Sequence, residues 1–328
     1  MRRLSAARSS LAALAGLGLL LTGCSPQPEA SPEVADGINV VASTNVYGDI
    51  AKTIGGDKVS VTAIITKTSQ DPHSYEATAQ DRLAVSKADV VIENGGGYDD
   101  FVHTLAQDSS IDARNVLNAV ELSGLAHPGE EASGGATPAE SAAKEDHAHE
   151  HGDLNEHVWY SLTAMGRLAD DLAARLGALE PASAAAFDAN AAAFKAELDA
   201  LTGELEGMKA GAAGAPVAVT EPVPVYLLEA AGLENATPED YTAAIEEGSD
   251  VPPAVLKAAT DLVGSKSVRF LAYNGQTEGP QTEALKKAAE SAGVPVVDFS
   301  ETLPEGKTYV QWMTDNVNNV SKVLETNS

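Results

Sequence analysis

Residues 38–56 have the sequence Ile-Asn-Val-Val-Ala-Ser-Thr-Asn-Val-Tyr-Gly-Asp-Ile-Ala-Lys-Thr-Ile-Gly-Gly, and this stretch sets the class of fold. Its first seven residues form a short, apolar, β-branched run that predicts a strand. A helical pattern through Ile50 and Ile54 follows and stops at the glycine pair. Further strands are predicted at 59–66, 89–93 and, more weakly, 115–120, with helices at 77–87 and 98–107. Continuous apolar strands that alternate with helices predict a parallel α/β sheet.

The second half of the chain repeats this alternation. Helical patterns at 161–176 and from 181 to about 209 come first, and the latter, near 28 residues or about 42 Å, is long enough to span from one domain to the next. A second α/β series then has predicted strands at 217–220, 268–273 and 294–298, and helices at 225–231, 253–263, 279–291 and 309–324. The sequence therefore predicts an N-terminal lobe over 38–180, a linking helix over 181–210 and a C-terminal lobe over 211–328.

The first 37 residues have the composition of an export and anchoring segment. A basic head, an apolar run from Leu11 to Leu21 and small residues before Cys24 predict a secretory signal over 1–23, too short to span a bilayer as a helix. Leu-Thr-Gly-Cys at 21–24 resembles the bacterial lipobox, which implies that Cys24 carries a diacylglyceryl group. Residues 24–37 are predicted to be a lipidated tether, and we expect the protein on the outer face of a bacterial cell membrane.

Charge and cysteine content exclude several classes of partner. Removal of residues 1–23 leaves 18 basic against 48 acidic residues, a formal charge of −30. Such acidity argues against nucleic acid and against docking on anionic lipid, although acidic surfaces also keep proteins soluble. Cys24 is the only cysteine, so no disulfide forms within one chain. We expect a monomer.

The stretch Lys144–Tyr160, Lys-Glu-Asp-His-Ala-His-Glu-His-Gly-Asp-Leu-Asn-Glu-His-Val-Trp-Tyr, contains four of the seven histidines. Dense imidazole and carboxylate indicate metal handling, and the alternative is a solvated low-complexity linker. His157 lies where the polar loop, about 126–156, meets an apolar segment, so it is the candidate fixed ligand. The upstream histidines, His147, His149 and His151, are candidate metal collectors.

Three further candidates follow predicted strands, where ligands of open α/β sheets gather. His73 follows a proline, and Asp71 or Glu76 could orient its imidazole; the alternative is a structural surface histidine. Glu221 ends a buried strand and could instead be an acid at a helix N-terminus. After the last strand comes either Asp298 or Glu301, for which the alternative is a solvated loop acid.

Three motifs together resemble the zinc- and manganese-uptake solute-binding lipoproteins of ABC transporters. Asp-Pro-His-Ser-Tyr-Glu at 71–76 is similar to that family's first-ligand motif. Asn-Glu-His-Val-Trp at 155–159 resembles its Asp-Pro-His-Val-Trp second-ligand motif, with Asn-Glu replacing Asp-Pro, and Ala-Asp-Val-Val-Ile-Glu-Asn-Gly-Gly-Gly at 88–97 is also similar to the family. The resemblance covers nearly the whole mature chain and implies two α/β lobes joined by one long rigid helix.

The resemblance also implies a set of metal ligands, and this sequence departs from the family's usual residues at two of them. The set is His73, His157, Glu221 and Glu301, with Asp298 as the fallback for the last. Many zinc members have a third histidine where this chain has Glu221, a position at which some manganese members have glutamate. The family usually has aspartate where this chain has Glu301.

These expectations describe a carrier and not an enzyme. Two imidazoles and two carboxylates suit Zn²⁺ and, with bidentate carboxylates, Mn²⁺. The Irving–Williams order favours zinc, and so does the resemblance of the histidine loop to the loop of the family's zinc members. The ion would be captured in the cleft between the lobes and delivered to an ABC permease. The rivals are a secreted metalloenzyme, for which no His-Glu-x-x-His or Gly-x-Ser-x-Gly motif is found, and a surface adhesin, which needs no ordered cleft ligands.

Overall fold

The N-terminal lobe is built on a parallel four-stranded sheet. The computed structural model describes residues 37–125 and 154–326. The elements of this lobe are β1 Ile38–Thr44, α1 Asn45–Gly55, β2 Val59–Ile65, α2 Ala79–Val85, β3 Val90–Glu93, α3 Asp100–Asp108, β4 Val116–Asn118, α4 Ala119–Ser123 and α5 Leu162–Leu179. The strand order is β2-β1-β3-β4, and all pairs are parallel. The buried, β-branched strands have helices between them, as the apolar runs predicted.

The C-terminal lobe has a second parallel sheet with the corresponding order, β6-β5-β7-β8. Its elements are α6 Ala184–Ala212, β5 Ala215–Val219, α7 Val225–Ala230, β6 Leu233–Asn235, α8 Glu239–Glu246, α9 Pro253–Gly264, β7 Leu271–Asn274, α10 Pro280–Ala292, β8 Val296–Phe299 and α11 Tyr309–Thr326. In each sheet the chain reverses its winding direction between two central strands, β1 and β3 or β5 and β7. Ligands of such folds bind outside the carboxyl ends of those strands.

Helix α6 joins the two sheets and is 29 residues long, roughly 43 Å at 1.5 Å per residue. It buries one stripe of side chains at helical spacing, namely Phe187, Ala191, Phe194, Leu198, Leu201 and Leu205. The largest buried cluster continues through this stripe and contains residues of both sheets, such as Val40 and Val217. The fold class predicted from the sequence, two parallel-sheet α/β lobes joined by one long helix, is therefore confirmed.

Hydrogen bonds also connect the two lobes directly. Asn45 Nδ2 donates to the carbonyl of Leu303 at 2.9 Å, and the Tyr160 hydroxyl donates to the carbonyl of Ser300 at 2.8 Å. Contacts of this kind, added to a shared core, oppose large separation of the lobes. The structure thus favours small relative movements over wide hinge opening.

Among the described residues, the short elements β6, α8 and α4 were not expected from the sequence. Strand β6 has only Leu233 buried, so it lacks the apolar run that marks a strand. Helix α8 follows it, and the expected strand over 115–120 ends at Asn118, where α4 begins. No helix in the described ranges combines the length and apolar composition needed to cross a membrane. The predicted signal, Cys24 and the histidines at 147, 149 and 151 lie outside the described residues.

Candidate metal centre

His73 lies in a turn after β2, at the carboxyl edge of the N-terminal sheet. The carboxylate of Asp71 shapes this turn because it accepts the His73 backbone N–H at 3.0 Å and the Ser74 hydroxyl at 2.7 Å. Asp71 therefore orients the backbone at His73. The imidazole itself packs edge-on against the Tyr98 ring, with 5.0 Å between centroids, and its side chain is 26% exposed. The turn presents the ring at the mouth of the cleft.

His157 is buried beneath it, with 2% of its surface exposed. Asn155 donates its Nδ2 hydrogen to the carbonyl of Pro222 at 2.8 Å, so its Oδ1 faces His157. That oxygen lies 2.7 Å from His157 Nδ1 and also accepts the His157 backbone N–H at 3.1 Å. Nδ1 therefore carries the proton, which leaves Nε2 as the ligand atom. Burial, and then the charge of His73, hold the pKa of His157 well below its usual value, so the ring is neutral as metal binding requires.

The C-terminal lobe contributes two buried carboxylates, Glu221 after β5 and Glu301 after β8. Asn274, at the end of β7, donates its Nδ2 hydrogens to both of them, at 2.6 Å to Glu221 Oε2 and 2.7 Å to Glu301 Oε1. The Thr277 hydroxyl also donates to Glu221. Across the cleft, the Tyr98 hydroxyl donates to Glu301 Oε2 at 3.1 Å. Burial raises the pKa of each carboxyl to about 7, with Glu221 adding to the effect on Glu301.

The structure brings most of the predicted ligands together. One ligand atom each from His73, His157 and Glu301 lie within 4.8 Å of one another. Glu221 adjoins this group through the amide that it shares with Glu301. Asp298, the fallback, is exposed on β8 and is not part of the group. Two imidazoles and two carboxylates from both lobes form a donor set that suits a first-row divalent ion.

Two cleft carboxylates were missed by the sequence reasoning. Glu156 Oε1 lies 3.4 Å from His73 Nε2, and Glu246 Oε1 lies 3.8 Å from His157 Nδ1. Burial, followed by neighbouring carboxylates, raises their pKa values to about 7 and about 8. The position of Glu156 next to His157 in the sequence was a signal that could have identified it as a cleft residue. The sequence contained no such signal for Glu246, because Glu246 ends a helix that the sequence pattern did not predict.

Comparison with known proteins identifies the family of this chain. A family model described as "Zinc-uptake complex component A periplasmic" matches residues 40–323. The chain belongs to this family. The match spans both lobes and the long helix, so the family resemblance drawn from the three motifs is confirmed.

Individual relatives of the zinc-uptake component family match shorter stretches. "Manganese-binding lipoprotein MntA" of Halalkalibacterium halodurans is 33% identical over 94 residues, 29% of this chain and 31% of the relative. "Manganese ABC transporter substrate-binding lipoprotein scaA" of Streptococcus gordonii is 39% identical over 75 residues, 23% and 24% of the two chains. The chain thus matches less than a third of the length of each of these relatives. The solved "periplasmic zinc binding protein TroA" of Treponema pallidum has a TM-score of 0.67 at 19% identity, covering 88% of this chain and 99% of that one, and it shows the shared fold.

The glycine run in the family-like motif 88–97 has a structural role at the cleft. Gly95, Gly96 and Gly97 have φ values of 80°, 68° and 92°, a region that other residues adopt at a cost. A Cβ atom on Gly96 would lie 3.3 Å from the Cβ of Glu156. The turn therefore permits the segment before His157 to approach β3 closely, and it leads into Tyr98, whose ring makes edge contacts with both histidines.

Proposed function

We propose that this protein captures one divalent transition-metal ion between its lobes and delivers it to the permease of an ABC importer. The observation that carries the proposal is the convergence of His73, His157 and Glu301 within 4.8 Å, from two different lobes. Four protein ligands close a metal site, whereas hydrolytic zinc sites keep a position open for water. The set with Glu221 is therefore suited to holding an ion and not to activating one.

We propose zinc as the cargo, in keeping with the Irving–Williams order and two imidazole ligands. Manganese is a second candidate, and a specific observation favours it. Four glutamates, Glu156, Glu221, Glu246 and Glu301, surround the two histidines, and carboxylate oxygen is a donor that Mn²⁺ prefers. Relatives named for manganese agree with this second candidate.

The remaining parts of the proposal concern delivery. An acyl anchor at Cys24 would keep a single chain at the outer face of the membrane, close to its permease. The histidines at 147, 149 and 151 would raise the local ion concentration. Contacts between the lobes and the rigid helix α6 support a loaded form that differs from the free form by small rotations.

The test is elemental analysis of purified protein after exposure to equimolar zinc and manganese. Wild type should retain one equivalent of metal, and His73→Ala and His157→Ala should each lose most of it. His103→Ala is the matched control, because that histidine lies on α3, pairs with Glu93 at 3.2 Å and is absent from the ligand group. Full retention of metal by both ligand variants would show that the assignment is wrong.

A further inference from the structure

Glu156 differs from the other glutamates of the cleft because one of its buried carboxylate oxygens accepts no hydrogen bond from the described residues. Its side chain is only 7% exposed, and Oε1 lies 3.4 Å from His73 Nε2. Within residues 37–125 and 154–326, Oε1 accepts no hydrogen bond, although it is shielded from solvent. A buried carboxylate oxygen without a hydrogen bond is costly, and such an atom needs an explanation.

The backbone around Glu156 holds this orientation. Its carbonyl accepts a hydrogen bond from Asn94 Nδ2 at 3.0 Å and another from the Val158 backbone N–H at 2.7 Å. Asn94 is itself fixed, because the Tyr47 hydroxyl donates to its Oδ1. Gly96 packs against the Cβ of Glu156 on the other side. These contacts hold the backbone from which the carboxylate projects towards His73.

Glu156 is also within reach of both imidazoles. One ligand atom each from Glu156, His157 and Glu246 lie within 4.8 Å of one another. Glu156 Oε1 also lies 3.4 Å from His73 Nε2. His157 Nδ1 is committed to Asn155, so His157 can bind an ion only through Nε2, the atom assigned to the main site. A separate site shared with Glu246 is therefore disfavoured, and Glu156 belongs with the His73 side of the cleft.

We infer that Glu156 is an additional ligand to the captured ion and sets the balance between manganese and zinc. The inference rests on the proposed function. Structural zinc is satisfied by four donors, whereas manganese accepts higher coordination and prefers oxygen. One more carboxylate oxygen beside His73, His157, Glu221 and Glu301 therefore stabilises bound manganese more than bound zinc.

The test compares Zn²⁺ and Mn²⁺ affinities of wild type and Glu156→Gln by competition with a chelator at about pH 8, where protons compete little. The glutamine keeps the volume and removes the anionic donor. We expect the Mn²⁺ Kd to rise roughly tenfold or more and the Zn²⁺ Kd to rise much less. The matched control is Glu246→Gln, which removes a neighbouring charge that faces His157 Nδ1; it should change both affinities by the same factor.

A second variant separates ligation from charge. Glu156→Asp keeps the charge but is one methylene shorter, so it should lose manganese preference as Glu156→Gln does. X-ray absorption on manganese-loaded wild type and Glu156→Gln should show one fewer nitrogen or oxygen donor in the variant. The inference would be overturned if the Kd values for the two metals changed equally or not at all, or if zinc binding weakened more than manganese binding. An unchanged number of donor atoms would also overturn it. If wild type bound neither metal, the proposed function itself would fail.

Discussion

Proton competition at the two C-terminal ligands gives the sharpest prediction. Lowering the pH from about 8 to about 6 should weaken metal binding, because Glu221 and Glu301 must lose their protons to bind an ion. Burial places the pKa of each at about 7, well above the usual value for glutamate. His157 adds little to this dependence, since its pKa lies well below its usual value and its ring stays neutral.

The size of the effect follows from these values. A group with a pKa of 7 is about nine-tenths protonated at pH 6 and about one-tenth protonated at pH 8, so each ligand costs roughly tenfold in affinity. Together Glu221 and Glu301 give about 100-fold, or about 2.7 kcal/mol. Because Glu221 contributes to the shift of Glu301, the two titrate as a pair, and this figure is an upper limit.

Isothermal titration calorimetry in buffers of different ionisation enthalpy measures both the metal affinity and the number of protons released on binding. Near pH 6 the wild type should release close to one proton per ion from each of Glu221, Glu301 and the inferred ligand Glu156, whose pKa is also about 7, and near pH 8 only a small fraction of one from each. Glu221→Gln or Glu301→Gln should release about one proton fewer near pH 6, and His103→Ala should match wild type. A wild-type affinity that changed less than about threefold over this range, with no proton release, would refute the reasoning about the buried carboxyls.

Three other predictions follow from the cleft. Metal-free protein should melt at a higher temperature near pH 6 than near pH 8. A carboxyl whose folded pKa is raised stabilises the fold below its unfolded pKa and loses that contribution as the pH rises through about 7; calorimetry showing the opposite trend would contradict this. Gly96→Ala should destabilise more than Gly97→Ala in urea unfolding and should also weaken metal binding. Both have positive φ, a strain of about 1–2 kcal/mol, but only at Gly96 would the new Cβ lie 3.3 Å from Glu156. Asn155→Ala should weaken metal binding roughly 10- to 100-fold by releasing His157 Nδ1, and an unchanged Kd would show that this hydrogen bond does not orient the ring.

Most of the fold was predictable because its signals are local. The apolar runs that became β1, β3, β5 and β7 are buried at successive positions, which leaves a continuous pattern in the sequence, and the partly buried edge strands β2 and β8 keep enough apolar residues to be recognised. The stripe on α6 recurs at helical spacing over its whole length. Strand β6 and helix α8 were missed because one has a single buried residue and the other a short pattern, so tertiary packing decides their conformation.

The candidate metal centre, like the fold, was predictable from the sequence only where its signals are local. The sequence alone determined that a histidine follows a strand in the first half and that carboxylates follow strands in the second, and the carboxyl ends of parallel strands must face one edge of each sheet. It left Asp298 and Glu301 as alternatives, since both lie near the end of the last predicted strand. The structure places Asp298 within β8 with its side chain exposed, and it brings only Glu301, after the strand, beside Asn274. Only the approach of the two lobes brings Glu246 beside His157, and burial then raises the pKa values of Glu156 and Glu246, which no linear pattern records.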